Sequence, residues 1–228
     1  MMNDDIKKRT IRSFILRQGR MTDAQETAFH ALWPQYGLDI LPTPHDFSAI
    51  FDRQAPCTLE IGFGMGDSLL AEAQAHPEQN FIGIEVHRPG VGALFQGLKR
   101  HELNHVRVFN TDAIDVLRDA IMDASLDRVC LFFPDPWPKR RHHKRRIVQP
   151  DFVRLVVSKL KPGGFFHLAT DWEDYAVHML EVLEQESALE NTAGLEGYVD
   201  HIERPSTKFE RRGKALGHGI WDLMFKKK

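Results

Sequence analysis

The chain has 228 residues, of which 42% are hydrophobic and 27% are charged, with 16 glycines, 12 prolines and two cysteines. This composition excludes a collagen-like chain, a disordered chain and a disulfide scaffold, and the length suits one domain with at most a short appendage. The apolar runs are too short to cross a bilayer, and the N-terminus lacks an apolar segment of signal length. We therefore expect a soluble, cytoplasmic protein.

The net charge of −2 conceals an uneven distribution. Residues 139–146 read KRRHHKRR and hold six of the 30 Lys and Arg residues; the remaining 24 face 32 acids, a balance of −8. Residues 173–203 contain nine acids and no Lys or Arg. A protein with one basic and one acidic surface can orient a polyanion, so nucleic acid is a candidate partner. A basic run that is merely solvated is the alternative.

The first part of the chain predicts a basic arm followed by one helix. Residues 1–20 carry six Lys or Arg residues and are typical of a mobile arm. Thr22, with Gln25 three positions later, indicates a capping box, so a helix begins there and is expected to end at Pro34. We assign an N-terminal region to residues 1–45 and the main domain to residues 46–228.

In the main domain, apolar runs alternate with amphipathic stretches, which predicts a doubly wound α/β fold with a mostly parallel sheet. In such a fold, functional groups lie at the carboxyl ends of the strands. Lys161–Gly164 predicts a helix stop and a turn. The predicted strands are Thr58–Ile61, Phe81–Val86, His105–Phe109, Arg128–Phe133, Phe165–Ala169 and Ile220–Phe225. The predicted helices are Asp67–Ala75, Val91–His101, Ala113–Ala124, Asp151–Leu160 and Glu173–Glu186.

A glycine-rich turn follows the first of these strands. Gly62, Gly64 and Gly66 alternate after Glu60, and a helix opens at Asp67. Glycines let the backbone turn tightly and approach a nucleotide near the positive end of a helix. The spacing E-x-G-x-G-x-G resembles the first motif of S-adenosylmethionine-dependent methyltransferases. A glycine turn that holds no ligand is the alternative.

Acidic residues near this turn narrow the choice of nucleotide. Asp67 stands where the dinucleotide pattern G-x-G-x-x-G needs Gly or Ala, and its carboxylate suits a positive sulfonium better than a pyrophosphate. Glu85 ends the second strand, where it can accept hydrogen bonds from a ribose. Asp112 follows the third strand, where it can accept an adenine amine, cap the next helix, or do both.

The fourth strand runs into Phe133-Pro134-Asp135-Pro136-Trp137 and then into the basic run. Prolines stiffen this segment and keep it out of the sheet, so Asp135 and Trp137 are held at the mouth of the strand. A carboxylate, a flat ring and a cationic track suit an extruded base. The alternatives are that Trp137 packs in the core and that Asp135 caps a turn.

The string FPDPWPKRRHHKRR closely resembles the signature of tRNA (guanine-N7-)-methyltransferases of the bacterial TrmB type. The match covers essentially the whole chain, with further agreement at residues 12–14, 20–22, 60–66, 169–172, 207–211 and 217–222. The resemblance implies a Rossmann-like fold that transfers a methyl group from S-adenosylmethionine to N7 of a guanosine in the tRNA variable loop, conventionally position 46.

The resemblance and the glycine turn together assign roles to individual residues, with Asp135 as the catalytic one. Residues expected at the methyl donor are Glu60, Gly62, Gly64, Glu85, Asp112 and Asp135. Residues implied to hold the substrate are Lys139, Asp171, Thr207, Lys208, Phe209 and Glu210. Residues implied to lie on RNA are Arg141, His142, His143, Lys144, Arg145 and Arg146.

The chemistry of guanine N7 explains why one carboxylate is enough for catalysis of methyl transfer. N7 carries an unprotonated lone pair at neutral pH, so its attack on a methyl group needs orientation rather than a general base. Positive charge then appears on the base, where Asp135 can stabilise it or can bind the base edge. The pattern HELNH at residues 101–105 fits a zinc motif, but its second histidine abuts a strand. We expect no metal, no membrane and no obligate protein partner beside the tRNA.

Overall fold

The computed structural model describes residues 13–14, 19–200, 210 and 219–228 of the chain. Over these residues, one sheet of eight strands lies between two layers of helices. The strands are β1 (Gly37–Leu38), β2 (Cys57–Ile61), β3 (Asn80–Ile84), β4 (Val106–Phe109), β5 (Leu126–Phe132), β6 (Leu160–Thr170), β7 (Leu189–Asn191) and β8 (Trp221–Lys227). The α-helices are α1 (Asp23–Tyr36), α2 (Phe47–Phe51), α3 (Asp67–Ala75), α4 (Arg88–Arg100), α5 (Ala113–Asp119), α6 (Pro150–Lys159) and α7 (Glu173–Glu184), and a 3-10 helix spans Arg140–Arg145.

The sheet is mostly parallel, and the chain changes direction at β2. Among the described residues, the strand order is β1-β4-β3-β2-β5-β6-β8-β7, with β8 antiparallel to both of its neighbours. Strands β3 and β4 extend to one side of β2, whereas β5 and β6 extend to the other. Ligands of open α/β sheets bind outside the carboxyl ends of the strands at such a switch point. The predicted doubly wound fold is confirmed.

Alternate residues of the central strands are buried against different helix layers. Leu59 and Ile82 belong to a core that includes residues of α5, α6 and α7. Phe81 and Val108 belong to a second core, with residues of α1, α3 and α4. Because successive side chains of a strand point to opposite faces, strands covered on both sides read as the continuous apolar runs seen in the sequence.

The strand register brings several carboxyl ends to one edge of the sheet. Ile61 at the end of β2 lies opposite Ile84 of β3 and Leu131 of β5. Ile84 in turn lies opposite Phe109, the last residue of β4. The segments that follow these four strands therefore meet at one place.

Helix α1 packs into this same fold and is longer than expected. Thr22 and Gln25 form the predicted capping box. The predicted end at Pro34 is wrong, because α1 continues to Tyr36. Tyr36 is 2% exposed, and its ring centroid lies 5.6 Å from that of Phe95 on α4. Burial of this ring favours a last helical turn in spite of the N–H that Pro34 lacks.

Strand β6 is also longer than expected, and the predicted turn at Lys161–Gly164 is wrong. The chain enters the sheet at Leu160, and the pairing of β5 with β6 shifts register between Leu126 and Arg128. Gly163 has a φ of +80°, so the irregularity is absorbed within the strand. Strands β1 and β7 and helix α2 were not predicted, since two to five residues are too few to show a period.

Candidate active site

A cavity of about 700 Å³ lies at the carboxyl edge of β2, β3, β4 and β5. It is the place where the segments after these strands meet. Five of the residues predicted from the sequence line this cavity: Gly62, Gly64, Glu85, Asp112 and Asp135. Residues far apart in the sequence are therefore brought to one wall.

The glycine turn has a backbone conformation that favours glycine and leaves space beside it. Gly62 and Gly64 have φ angles of +75° and +60°. Apart from the adjacent residues, no atom of the described part of the chain lies within 4 Å of the place where a Cβ would stand on either. Gly66, with φ of +86°, is the N-cap of α3 and is packed against Leu94. Glycine adopts these angles without a steric penalty, so the turn keeps its backbone exposed to the cavity.

A second glycine contact joins the turn to α4. A Cβ on Gly90 would stand 1.9 Å from the carbonyl oxygen of Gly64. The first turn of α4 therefore lies directly against the glycine turn, which no larger residue at position 90 allows.

Glu85 lines the cavity through a carboxylate that is held by backbone hydrogen bonds. Its carboxylate accepts hydrogen bonds from the backbone N–H groups of Gly64 at 2.8 Å and His87 at 2.9 Å. Asn110, at the end of β4, donates its side-chain amide to the carbonyl oxygen of Glu85 at 2.7 Å. Glu85 is only 8% exposed, and this burial raises the pKa of its carboxyl group above the ordinary value. The carboxylate is thus fixed in place and poorly solvated, which strengthens its interaction with a ligand.

Asp112 has the helix-capping role that was one of its two predicted roles. Its carboxylate accepts a hydrogen bond from the backbone N–H of Ile114 at 3.0 Å, at the start of α5. The same side chain lines the cavity. A cap uses one carboxylate oxygen, so a ligand contact by the other oxygen is compatible with it.

The segment that carries Asp135 is held at both ends. Phe133 continues the β5–β6 pairing by donating its N–H to the carbonyl oxygen of Ala169 at 2.8 Å. The indole N–H of Trp137 donates to the carbonyl oxygen of Ser13 at 2.9 Å. Phe133 and Trp137 have φ angles of +51° and +45°, which are unusual for residues with large side chains. Such conformations persist where the surroundings impose them, and they cluster at functional sites.

The ring of Trp137 is packed among residues of the basic run. The guanidinium carbon of Arg145 lies 4.1 Å from its ring centroid, and the ring of His142 meets it edge-on at 5.9 Å. Trp137 also ties Ser13, which lines the cavity, to this segment. The sequence predicts that Trp137 stacks on a base, and in the structure the guanidinium of Arg145 lies over its ring.

The basic run contains both exposed and buried cations. Lys139, Arg140, Arg141 and Lys144 are exposed, and His142, His143 and Arg145 are half-buried. Arg146 differs from them, since its side chain is 1% exposed. The pKa of His142 is lowered, first by partial loss of water and then by Arg141 and the other nearby cations, which favours its neutral form.

Several other predicted site residues lie away from the cavity wall. Glu60 is buried and lines a second cavity of about 60 Å³ together with Arg128 and His167. Lys139 precedes the 3-10 helix, and Asp171 follows β6 and is half-buried. Glu210 is buried. Thr207, Lys208 and Phe209 lie outside the described residues.

Some residues of the site were not predicted from the sequence. Phe14 and Ser13 line the cavity although they lie more than a hundred residues from Asp135 in the chain. His87 and Asn110 position Glu85 through the hydrogen bonds given above. Asn110 precedes Asp112 at the end of a predicted strand, and Ser13 and Phe14 lie in a stretch that agrees with the family signature. Both are usable signals, whereas no sequence pattern marks His87.

The described part of the chain contains neither a candidate metal site nor a candidate membrane-spanning helix. There, no group of three or more His, Cys, Asp and Glu side chains has an arrangement that could hold a metal ion. No helix in the same residues has both the length and the apolar character needed to span a membrane.

The fold and a matching family model define a Rossmann-like methyltransferase. The fold is similar to that of a 30S ribosomal A1408 methyltransferase from an uncultured bacterium, with a TM-score of 0.55 and 14% identity over 85% of this chain and 98% of that one. It is also similar to that of TrmN from Thermus thermophilus, with a TM-score of 0.53 and 16% identity over 80% of this chain and 47% of that one. A family model described as a putative methyltransferase matches residues 54–223.

Similarity in sequence gives the particular family. The chain is 58% identical to a tRNA (guanine-N(7)-)-methyltransferase of Stutzerimonas stutzeri, over 96% of this chain and 93% of that protein. It is 56% identical to the protein of the same name from Ectopseudomonas mendocina, over 100% and 96% of the two chains. The chain belongs to the tRNA (guanine-N7-)-methyltransferase family, so the resemblance inferred from its motifs is confirmed.

Proposed function

We propose that the protein transfers a methyl group from S-adenosylmethionine to N7 of the guanosine at position 46, in the variable loop of tRNA. The observation that carries this proposal is that Asp135 lies in the wall of the same cavity as the glycine turn, Glu85 and Asp112. Membership of the tRNA (guanine-N7-)-methyltransferase family supports the substrate and the methylated atom. A tRNA substrate implies that the reaction takes place in the cytoplasm.

The residues of the cavity fit the methyl donor. Open space beside Gly62 and Gly64 admits a ligand close to the backbone. Glu85 keeps acceptor capacity beyond its two backbone hydrogen bonds, because a carboxylate offers about four lone-pair sites for the hydroxyls of a ribose. Asp112 can accept from the exocyclic amine of an adenine. A volume of about 700 Å³ falls within the range of small-molecule sites.

S-adenosylmethionine, when bound, supplies a methyl group activated by a positive sulfonium. The protein's task is to orient guanine N7 in line with that methyl group, since the N7 lone pair needs no general base. Asp135 stands at the edge of the cavity and is exposed, so its carboxylate is accessible to an incoming base. There it stabilises the positive charge that develops on the imidazole ring, or it accepts hydrogen bonds from N1–H and the 2-amino group.

The exposed cations of the basic run are suited to the tRNA backbone. Arg140, Arg141 and Lys144 are exposed on the 3-10 helix, five to nine residues beyond Asp135 in the chain. Phosphate contacts of this type give affinity and orientation without reading sequence. Lys139, Asp171 and residues 207–210 are proposed to hold the substrate nearer the reacting base.

Nucleoside analysis of tRNA after incubation with the protein and labelled methyl donor tests this function. We expect label in 7-methylguanosine from a transcript that has guanosine at position 46 and none from the matched transcript with adenosine there. Label in a different nucleoside would show that the protein methylates another position than the one proposed. If the protein binds tRNA but gives no calorimetric signal with S-adenosylmethionine, it is a non-enzymatic RNA-binding protein. This is the main alternative to an enzymatic function.

A further inference from the structure

Arg146 ends the basic run, but its surroundings differ from those of the exposed cations beside it. Its side chain is 1% exposed, so its charge is shielded from a polyanion at the surface. We infer that Arg146 is a positioning residue that fixes the loop of residues 133–137, which carries Asp135, and that it does not bind an RNA phosphate. This inference rests on the proposed function, because it concerns the residue to which catalysis is assigned there.

The guanidinium group joins the loop to a helix. Nε of Arg146 donates to the carbonyl oxygen of Pro136 at 2.9 Å, and Pro136 directly follows Asp135 in the chain. Nη2 donates to the carboxylate of Asp174, in the first turn of α7. One planar group therefore connects the loop backbone to the element that follows β6.

The prolines of the loop limit the hydrogen bonds that its own backbone can donate. Pro134 and Pro136, on either side of Asp135, have no N–H to donate, so these two positions contribute only carbonyl acceptors. The flanking residues Phe133 and Trp137 have positive φ angles, a conformation that the surroundings must impose. The hydrogen bond from Arg146 is made between these two positions, next to the carboxylate that acts on the base.

Helix α7 is a firm anchor for the guanidinium. Tyr175, the residue after Asp174, is fully buried, and the guanidinium carbon of Arg146 lies 4.8 Å from its ring centroid. The Tyr175 hydroxyl accepts a hydrogen bond from the backbone N–H of Val148 at 3.3 Å. The Arg146 guanidinium also lowers the pKa of Asp174, which keeps that carboxylate ionised and the pair intact at neutral pH.

The substitution Arg146→Lys distinguishes a positioning role of this residue from phosphate binding. Lysine keeps the positive charge on a flexible stem but lacks the planar fork that reaches Pro136 and Asp174 together. A phosphate contact would largely survive the change Arg146→Lys, whereas the position of the loop would not. The matched control is Arg154→Lys on α6, because Arg154 is also paired with an aspartate, Asp151, but is 60% exposed.

The experiment compares the two variants with the wild-type protein in four measurements. These are kcat with donor and tRNA saturating, KM for tRNA, the salt dependence of tRNA binding, and affinity for S-adenosylmethionine by calorimetry. Arg146→Lys should lower kcat by ten- to a hundredfold, the effect of misplacing a reacting group by a fraction of an ångström to an ångström. Its salt slope should equal that of the wild type, and Arg154→Lys should match the wild type throughout. Lys144→Gln calibrates the salt measurement, since loss of one phosphate contact reduces the slope by about 0.7–0.9.

Wild-type kcat in Arg146→Lys, or a salt slope reduced as in Lys144→Gln, would overturn the inference. Should Arg146→Lys fail to fold, Asp174→Ala decides, because the Asp174 side chain is 63% exposed and its removal leaves no cavity. A lower kcat with an unchanged slope in that variant supports positioning, and wild-type kcat opposes it. Failure of the proposed function gives a different result, namely a wild-type protein that does not methylate tRNA. In that case the affinity of Arg146→Lys for S-adenosylmethionine still tests whether the loop moves. An affinity equal to that of the wild type would then oppose the inference.

Discussion

The carboxylate of Glu85 accepts a hydrogen bond from the backbone N–H of Gly64 at 2.8 Å. This contact ties the end of β3 to the glycine turn that follows β2. The other carboxylate oxygen accepts from the N–H of His87, just before α4 begins. One side chain thus connects three segments of the cavity wall, so its effect on ligand binding includes the shape of the glycine turn as well as any direct contact.

Replacing Glu85 by glutamine should weaken donor binding by at least tenfold. Glutamine keeps the volume, but its NH2 group would face one of the two backbone N–H groups, leaving a buried donor unsatisfied at a cost of about 1–3 kcal/mol. Calorimetric titration with S-adenosylmethionine measures the change. Glu78→Gln is the control, since the Glu78 side chain is 63% exposed on the surface. Equal affinity in wild type and Glu85→Gln would contradict the role of this carboxylate.

The raised pKa of Glu85 gives two pH effects of opposite sign. Burial raises this pKa above the ordinary 4.5, so the folded protein takes up the proton more readily than the unfolded chain. The stability contributed by this protonation is present below pH 4.5 and is lost as pH rises through the folded-state pKa. Donor binding should change the other way, because protonation removes an acceptor from the site. Both effects are checked by measuring the free energy of unfolding and the affinity for S-adenosylmethionine of Glu85→Gln and the wild type, from pH 4.5 upward. The same pH dependence in the two proteins would contradict the assignment.

Two substitutions of Asp112 separate its two roles. Asp112→Ala removes the cap of α5 and should cost about 1 kcal/mol of stability, as well as weakening donor binding. Asp112→Ser restores the cap with a shorter side chain, so stability should return while donor binding stays weak. Urea unfolding and calorimetry measure the two effects independently. Recovery of donor affinity in Asp112→Ser would mean that only the cap matters.

The sequence was sufficient to predict the strands and the helices around the cavity. Runs such as the one containing Leu59 are buried on both faces of the sheet, and the amphipathic period of the helices matches their packing. It was also sufficient to predict Gly62, Gly64, Glu85, Asp112 and Asp135 as cavity residues, because strand ends of a parallel sheet meet at one edge.

Contacts between distant residues could not be predicted in this way. Arg146 reads as one more cation of a basic run, since its partners Pro136 and Asp174 lie 10 and 28 residues away in sequence. Glu60 stands only two residues before Gly62, but it is a buried residue of β2 and lines the smaller cavity instead. Composition and period carry no information on such pairings.

Replacing Asp135 by asparagine should lower the rate of methyl transfer strongly while donor and tRNA are saturating. The change keeps the size of the side chain but removes the charge that we propose to stabilise the developing cation on the base, an effect on the order of 3 kcal/mol or a hundredfold in kcat. Single-turnover methylation measures it directly. Asp151→Asn is the control, because the Asp151 side chain is 94% exposed at the start of α6. A full single-turnover rate in Asp135→Asn would remove Asp135 from catalysis.

Replacing Gly90 by alanine should damage both stability and donor binding, because a Cβ there would stand 1.9 Å from the carbonyl oxygen of Gly64. The obstructing atom belongs to the backbone, so α4 or the glycine turn must move, at a cost of about 2 kcal/mol or more. Gly97→Ala on the same helix is the matched control: its Cβ meets the end of the Leu70 side chain at 2.7 Å, which can rotate away, and alanine favours the helix by about 1 kcal/mol. Urea unfolding should therefore separate the two variants, with Gly97→Ala near the wild type, and calorimetry should show weakened S-adenosylmethionine binding in Gly90→Ala alone. Equal behaviour of the two variants would mean that the contact between α4 and the glycine turn does not shape the cavity.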